Sequence, residues 1–146
     1  MDWISEANKL FSMEKPDSFT NFNHCDECFE HNETLVNSSI DEIGLAELGN
    51  PAWDPICFCS AEGKKYYTPA FVRLCLETVD DDFYFDQFLF HLEVDGENNS
   101  YFTACSTEQR AFLAKFVAYM IETHSDKLEA FFCADQALRA YQIWSK

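Results

Sequence analysis

Basic residues are scarce in this chain: ten Lys and Arg stand against 26 Asp and Glu, for a formal net charge of −16. Nucleic-acid affinity depends on Lys and Arg displacing condensed counterions, so a direct nucleic-acid surface is excluded as the expectation. An anionic membrane is disfavoured for the same reason. A cation or a basic protein partner remains compatible with this charge, as does plain solubility. Gly and Pro are also few, at four each, which argues against a low-complexity or disordered chain. No apolar run approaches the ~20 residues that span a bilayer, and Met1-Asp2-Trp3-Ile4-Ser5-Glu6 lacks the basic and apolar regions of a signal peptide. The expected location is therefore the cytoplasm.

The common enzyme signatures are missing too. There is no Gly-rich phosphate loop, no Gly-x-Ser-x-Gly elbow and no His-Glu-x-x-His. No residue is singled out as catalytic, and the balance leans away from an enzyme. What the chain does hold is apolar bulk: 47% hydrophobic residues, 15 of them Phe, in a length of 146 that suits one domain over residues 1–146. Seven cysteines without an export signal read as free thiols or metal ligands.

The pattern predicts a mainly α single domain of about five or six helices with a small central β-hairpin. Trp3, Ile4, Ala7, Leu10 and Phe11 recur at helical spacing and must stop before Pro16. An ordered loop is expected over 16–23, a short helix from His24 to Leu35, and a helical turn from Asp41 to Leu48 ended by Gly49-Asn50-Pro51. Ile56-Cys57-Phe58-Cys59 and Lys65-Tyr66-Tyr67 flank Ser60-Ala61-Glu62-Gly63 as the two strands and turn of the hairpin. Thr68-Pro69 then reads as the start of a helix carrying Phe71, Val72, Cys75, Leu76 and Val79. Phe83–Leu92 is assigned to helix, and Asp95-Gly96-Glu97-Asn98-Asn99 to a turn. Ser106 and Gln109 form a capping box before Phe112, Leu113, Phe116, Val117, Met120 and Ile121. A further helix from Ser125, with Leu128, Phe131, Phe132, Leu138 and Tyr141 inward, is expected to pack antiparallel to it.

Candidate chemistry concentrates in His24-Cys25-Asp26-Glu27-Cys28-Phe29-Glu30-His31. Zinc prefers thiolate and imidazole, and Cys-x2-Cys presents two thiolates from a tight turn. In a regular helix His24, Cys28 and His31 share one face, with Cys25 about 100° away. A closed site needs a ligand from elsewhere, and Cys57 or Cys59 is the natural supplier, since alternate residues of a strand point the same way. The candidate metal ligands are thus His24, Cys25, Cys28, His31 and Cys57, with Glu27 or Glu30 as a base if the coordination sphere is open. The plainer reading makes Cys57 and Cys59 small buried hydrophobes. A redox role for Cys25 and Cys28 is disfavoured, because Glu27 and nearby acids raise a thiol pKa.

Gly49-Asn50-Pro51-Ala52-Trp53-Asp54-Pro55 is a rigid turn whose Trp53 either anchors a partner or packs on the core. Glu77, Asp80, Asp81, Asp82 and Asp86 form an acidic stretch that lacks the ligand spacing and central Gly of a calcium loop. It is either a solvated helix end or a face for a basic protein, and Trp53, Asp80, Asp81, Asp82 and Asp86 are the candidate partner-binding residues. His91 reads as a satisfied core histidine, and His124 as a favourable charge at a helix C-terminus.

Two of these runs, His24-Cys25-x-Glu27-Cys28-x-Glu30-His31-x-Glu33-Thr34-Leu35 and Gly49-Asn50-Pro51-x-Trp53-Asp54-Pro55-x-Cys57-Phe58, resemble an uncharacterised family of small bacterial proteins. Tyr67-x-Pro69 and Gln87-Phe88-Leu89-x-His91-Leu92 agree with that pattern, so the resemblance extends from about Glu14 to Arg110. It implies a bacterial or phage origin and no assigned activity, and Cys59 is not part of the pattern. Two functions are compatible with these features. One is an acidic protein-interaction module, such as an inhibitor or immunity-type protein covering a basic, nucleic-acid-binding partner. The other is a small zinc protein, structural or hydrolytic.

Overall fold

The computed structural model describes residues Met1–Lys146, and every element in it is helical. In chain order these are α1 (Trp3–Leu10), α2 (Asp26–Asn37), α3 (Leu45–Leu48), α4 (Ala61–Glu77), α5 (Tyr84–Glu93), α6 (Ser100–Ala104), α7 (Thr107–Thr123), α8 (Ser125–Ala130) and α9 (Ala134–Trp144). Three 3-10 turns, Pro51–Trp53, Pro55–Phe58 and Gly96–Asn98, complete the set. The mainly α expectation fits, but the helices are more numerous than expected, and there is no β-hairpin.

The hairpin fails for a local reason. Ser60 caps a helix: its Oγ accepts from the Gly63 amide at 3.0 Å, with Glu62 in the first turn where the dipole favours an acid. Tyr67, Ala70, Phe71, Leu74 and Cys75 then recur at helical spacing and are all buried. Gly63 is not a turn glycine. A Cβ there would lie 2.5 Å from Cys59 Sγ and 2.7 Å from Phe19 Cδ1, so the residue is needed for close approach. Thr68 and Pro69 do not start the helix but sit inside it. Thr68 Oγ1 donates back to the Lys64 carbonyl at 2.8 Å, at the turn where Pro69 brings no amide proton.

Helix α4 is the hub. It is buried nearly all round, from Gly63 to Cys75, and packs against α1, α5 and α6. Helix α7 pairs with α9, and α5 also packs on α9. The resulting core of 34 buried residues runs from Ala7 to Trp144, so both ends of the chain share it. Side chains tie the layers through backbone carbonyls. Tyr67 Oη reaches Leu35 O at 2.5 Å, Gln109 Nε2 reaches Leu10 O at 2.9 Å, and Trp144 Nε1 reaches Leu92 O at 2.8 Å.

The C-terminal segment also departs from expectation. The Ser106–Gln109 capping box is formed, but the helix expected from Ser125 breaks at Phe131-Phe132-Cys133, where Phe132 has φ of 56°. Phe132, Leu138 and Tyr141 are exposed, not inward, and Phe131 is largely so. The break rotates α9 so that Ala137, Ala140, Ile143 and Trp144 face the core instead. No helix is long and apolar enough to cross a membrane.

Candidate metal centre

The chain approaches the His24 cluster along a loop that α2 itself holds down. Asn32 Oδ1 accepts from the Phe19 amide at 2.7 Å and the Thr20 amide at 3.1 Å, while Thr20 Oγ1 donates to Cys28 O at 2.6 Å. A turn closed by the His24 amide on Asn21 O follows. Cys25 is then the N-cap of α2 with an extended backbone, φ −165°, and its Sγ accepts from the Cys28 amide at 3.3 Å. This cap folds Cys25 back over the helix start and brings its sulfur beside that of Cys28.

His24, Cys25 and Cys28 therefore converge. The two sulfurs are 3.2 Å apart, His24 Nδ1 lies 3.7 Å from Cys28 Sγ, and all three ligand atoms fall within 4.8 Å of one another. A tetrahedral zinc with Zn–S of about 2.3 Å and Zn–N of about 2.0–2.1 Å needs sulfurs about 3.8 Å apart and S···N of about 3.5 Å. The observed S···N distance fits, and the sulfur pair must open by about 0.6 Å, within reach of one side-chain rotation. His24 and Cys25 are exposed and Cys28 is buried, so solvent meets the cluster from one side. The donor set suits zinc, with three protein ligands and a fourth position toward water.

The electrostatics favour an anionic sulfur at Cys25. Its thiol is lowered from 9.0 to about 7, first by the Cys28 amide, then by the Cys28 thiol and the His24 ring. The expectation that neighbouring acids would raise this thiol is overturned by the cap, whose hydrogen bond acts at shorter range. Cys28 does rise, chiefly because its proton serves Cys25, with burial and the charges of Cys25 and Glu27 adding to the effect.

The other expected ligands lie elsewhere. Because α2 starts only at Asp26, His31 is not on a shared face with His24; it turns inward and is fully buried. Its ring stacks on Phe58 at 5.0 Å and packs against Trp53 at 4.6 Å, and neither ring nitrogen has a hydrogen-bond partner. Glu27 Oε1 stands 3.8 Å from His31 Nε2. Cys57 does not close the site either: its sulfur groups with Asp54 and His91. Cys59 is buried against Gly63, its thiol pushed up to about 12 by burial. All seven cysteines are free thiols.

The Trp53 run is rigid as its prolines require. Asn50 and Asp54 each cap a 3-10 turn that begins with proline, their Oδ1 atoms accepting from the amides of Ala52 and Ile56 at 2.9 Å. Trp53 covers His31 yet keeps 43% of its surface exposed, so it touches the fold and solvent together. Asp80, Asp81 and Asp82 are exposed beyond the end of α4, and Asp86 is partly buried on α5. Asp82 and Asp86 line a cleft of about 580 Å³ with Asp54, Cys57 and Phe90; Asp80 and Asp81 do not.

Comparison with known protein families, curated proteins and solved structures finds no match to this chain, so the geometry carries the functional argument.

Proposed function

We propose that this protein is a small zinc-binding protein whose metal is held by His24, Cys25 and Cys28 at the start of α2. The observation that carries the reading is the convergence of the three donor atoms, with Cys25 already favoured as a thiolate by its capping position. The 16–24 loop is already anchored on α4 through Phe19, which packs on Gly63 and Tyr67, and zinc would add a tie between its His24 end and α2. The metal's role here is thus local ordering or presentation of an open coordination position, and metal removal leaves the global fold in place. The test is zinc titration against a chromophoric chelator for the parent chain and for His24→Ala, Cys25→Ser and Cys28→Ser. Each variant should lose affinity at least tenfold at an unchanged far-UV spectrum. Equal affinity across all four proteins would sink the reading.

The acidic-module reading has narrower support. Carboxylates occur on every α-helix except α6, a spread that does not single out one phosphate-like face. What favours it is the cleft, where Asp82 and Asp86 stand beside the aromatic rings of Phe83, Phe90 and Phe131. A basic partner that uses this cleft would lose binding on Asp82→Asn/Asp86→Asn and keep it on Asp80→Asn/Asp81→Asn. Equal effects of the two double variants would reduce the attraction to overall charge.

A further inference from the structure

We infer a second metal site, built from Asp54, Cys57 and His91, which opens onto the cleft between the 3-10 turns and α5. The three come from different elements: Asp54 closes the first 3-10 turn and caps the next, Cys57 lies within that second turn, and His91 is in the last turn of α5. One ligand atom from each falls within 4.8 Å of the others. A carboxylate, a thiolate and an imidazole form a zinc-type donor set that leaves a fourth position free. That position faces the cleft, because Cys57 is exposed and lines it while His91 is buried behind.

The supporting sphere is already in place. Asp54 and His91 side chains are each 1% exposed and meet through Oδ2 and Nε2 at 2.9 Å. Gln87 Nε2 donates to the same Oδ2 at 2.8 Å, and the Ile56 amide holds Oδ1 at 2.9 Å. Asp54 is thus oriented before any cation arrives, and Gln87 would stay as its outer partner. An ion would enter between Oδ2 and Nε2, replacing the direct hydrogen bond with coordination by a carboxylate and a neutral imidazole protonated at Nδ1, while Cys57 gives up its thiol proton to solvent. Asp82 and Asp86 along the cleft attract cations toward this opening. Lys64 is the cation that acts on both Asp54 and Cys57, and burial disfavours its charge.

A hydrogen-bonded Asp54–His91–Gln87 network alone would explain the burial but gives Cys57 no role. Cys57 takes no part in those bonds and is exposed, so Cys57→Ser separates the two accounts without disturbing the core. Cobalt(II) is added to Cys25→Ser/Cys28→Ser, in which the first site is disabled. One equivalent should bind with sulfur-to-cobalt charge-transfer absorption and four-coordinate visible bands, and zinc should displace it. The added Cys57→Ser change should abolish the charge-transfer band while thermal unfolding stays the same. A double variant without the band, or a triple variant that keeps it, overturns the second site. If the double variant does not fold, the parent chain should bind two equivalents and Cys57→Ser one; equal stoichiometry overturns the inference. Failure of the first site is distinct, since the parent chain and Cys25→Ser/Cys28→Ser would then bind the same amount.

Discussion

Asp54→Asn is isosteric, opens no cavity, and strikes the joint between the 3-10 turns and α5. Asp54 accepts three hydrogen bonds, from the Ile56 amide, Gln87 Nε2 and His91 Nε2. An asparagine carries one oxygen and one amide nitrogen, so either orientation sets two donors against each other. With the oxygen toward Ile56, the Gln87 and His91 bonds are both lost; hydrogen bonds to a charged group contribute about 1.5–3 kcal/mol each. Losing these hydrogen bonds to the buried carboxylate places the expected loss at about 3–5 kcal/mol. For 146 residues, an unfolding entropy of about 2.1 cal/mol/K per residue turns this into a Tm lower by about 10–16 °C. The assay is urea unfolding and calorimetry in excess chelator, so that no metal contributes. The denaturant midpoint should fall while the m-value holds. A loss below about 1 kcal/mol would refute the charged hub, because a satisfied buried carboxylate cannot be exchanged for an amide so cheaply.

Tyr67→Phe removes the hydroxyl that ties α4 to the end of α2 and should cost about 1–2 kcal/mol in denaturant unfolding, since Leu35 O is left without it while Lys15 Nζ still serves Ser38 O. Gly63→Ala should destabilise despite alanine's better helix propensity, because the added methyl meets Cys59 Sγ and Phe19 within 2.7 Å; overpacking of about 1–3 kcal/mol outweighs a propensity gain of about 1 kcal/mol, and a raised Tm would contradict this. In metal-free protein Cys25 should be the thiol most readily alkylated, with a rate that rises through about pH 7 rather than 9, and zinc should protect it. Its pKa is depressed in the fold, so this thiolate's stabilisation is complete above the ordinary thiol range and is lost as pH falls through about 7. Peptide mapping after a short pulse of iodoacetamide reads the site and its pH profile together.

Elements with strong local signals are the ones legible in the sequence. Ser106 and Gln109 specify the start of α7 because a capping box needs only residues three apart, and it forms as expected. Residues 56–67 mislead because a short run of Cys and aromatic residues with a nearby glycine fits strand and helix alike. What decides it is the Ser60 cap together with contacts from Phe19 to Gly63, and the second of these is tertiary. His24, Cys25 and Cys28 were legible as a group through their spacing, whereas the cap that folds Cys25 back was not. His31 shares that motif but faces Trp53 and Phe58, which no spacing rule places beside it. Spacing likewise draws Cys57 to the α2 ligands, whereas the fold groups it with Asp54 and His91, which meet only when α5 packs beneath the 3-10 turns. The Asp54-Pro55 cap was the one available signal, since it fixes the carboxylate's direction locally.

X-ray absorption at the zinc edge decides whether His24, Cys25 and Cys28 hold zinc. The sample is Cys57→Ser loaded with one equivalent, so that only the α2 site carries sulfur. Two sulfurs at about 2.3 Å, one imidazole nitrogen at about 2.0–2.1 Å and a further light atom completing four-coordination are expected. A zinc ion surrounded by oxygen and nitrogen alone would contradict this ligand set.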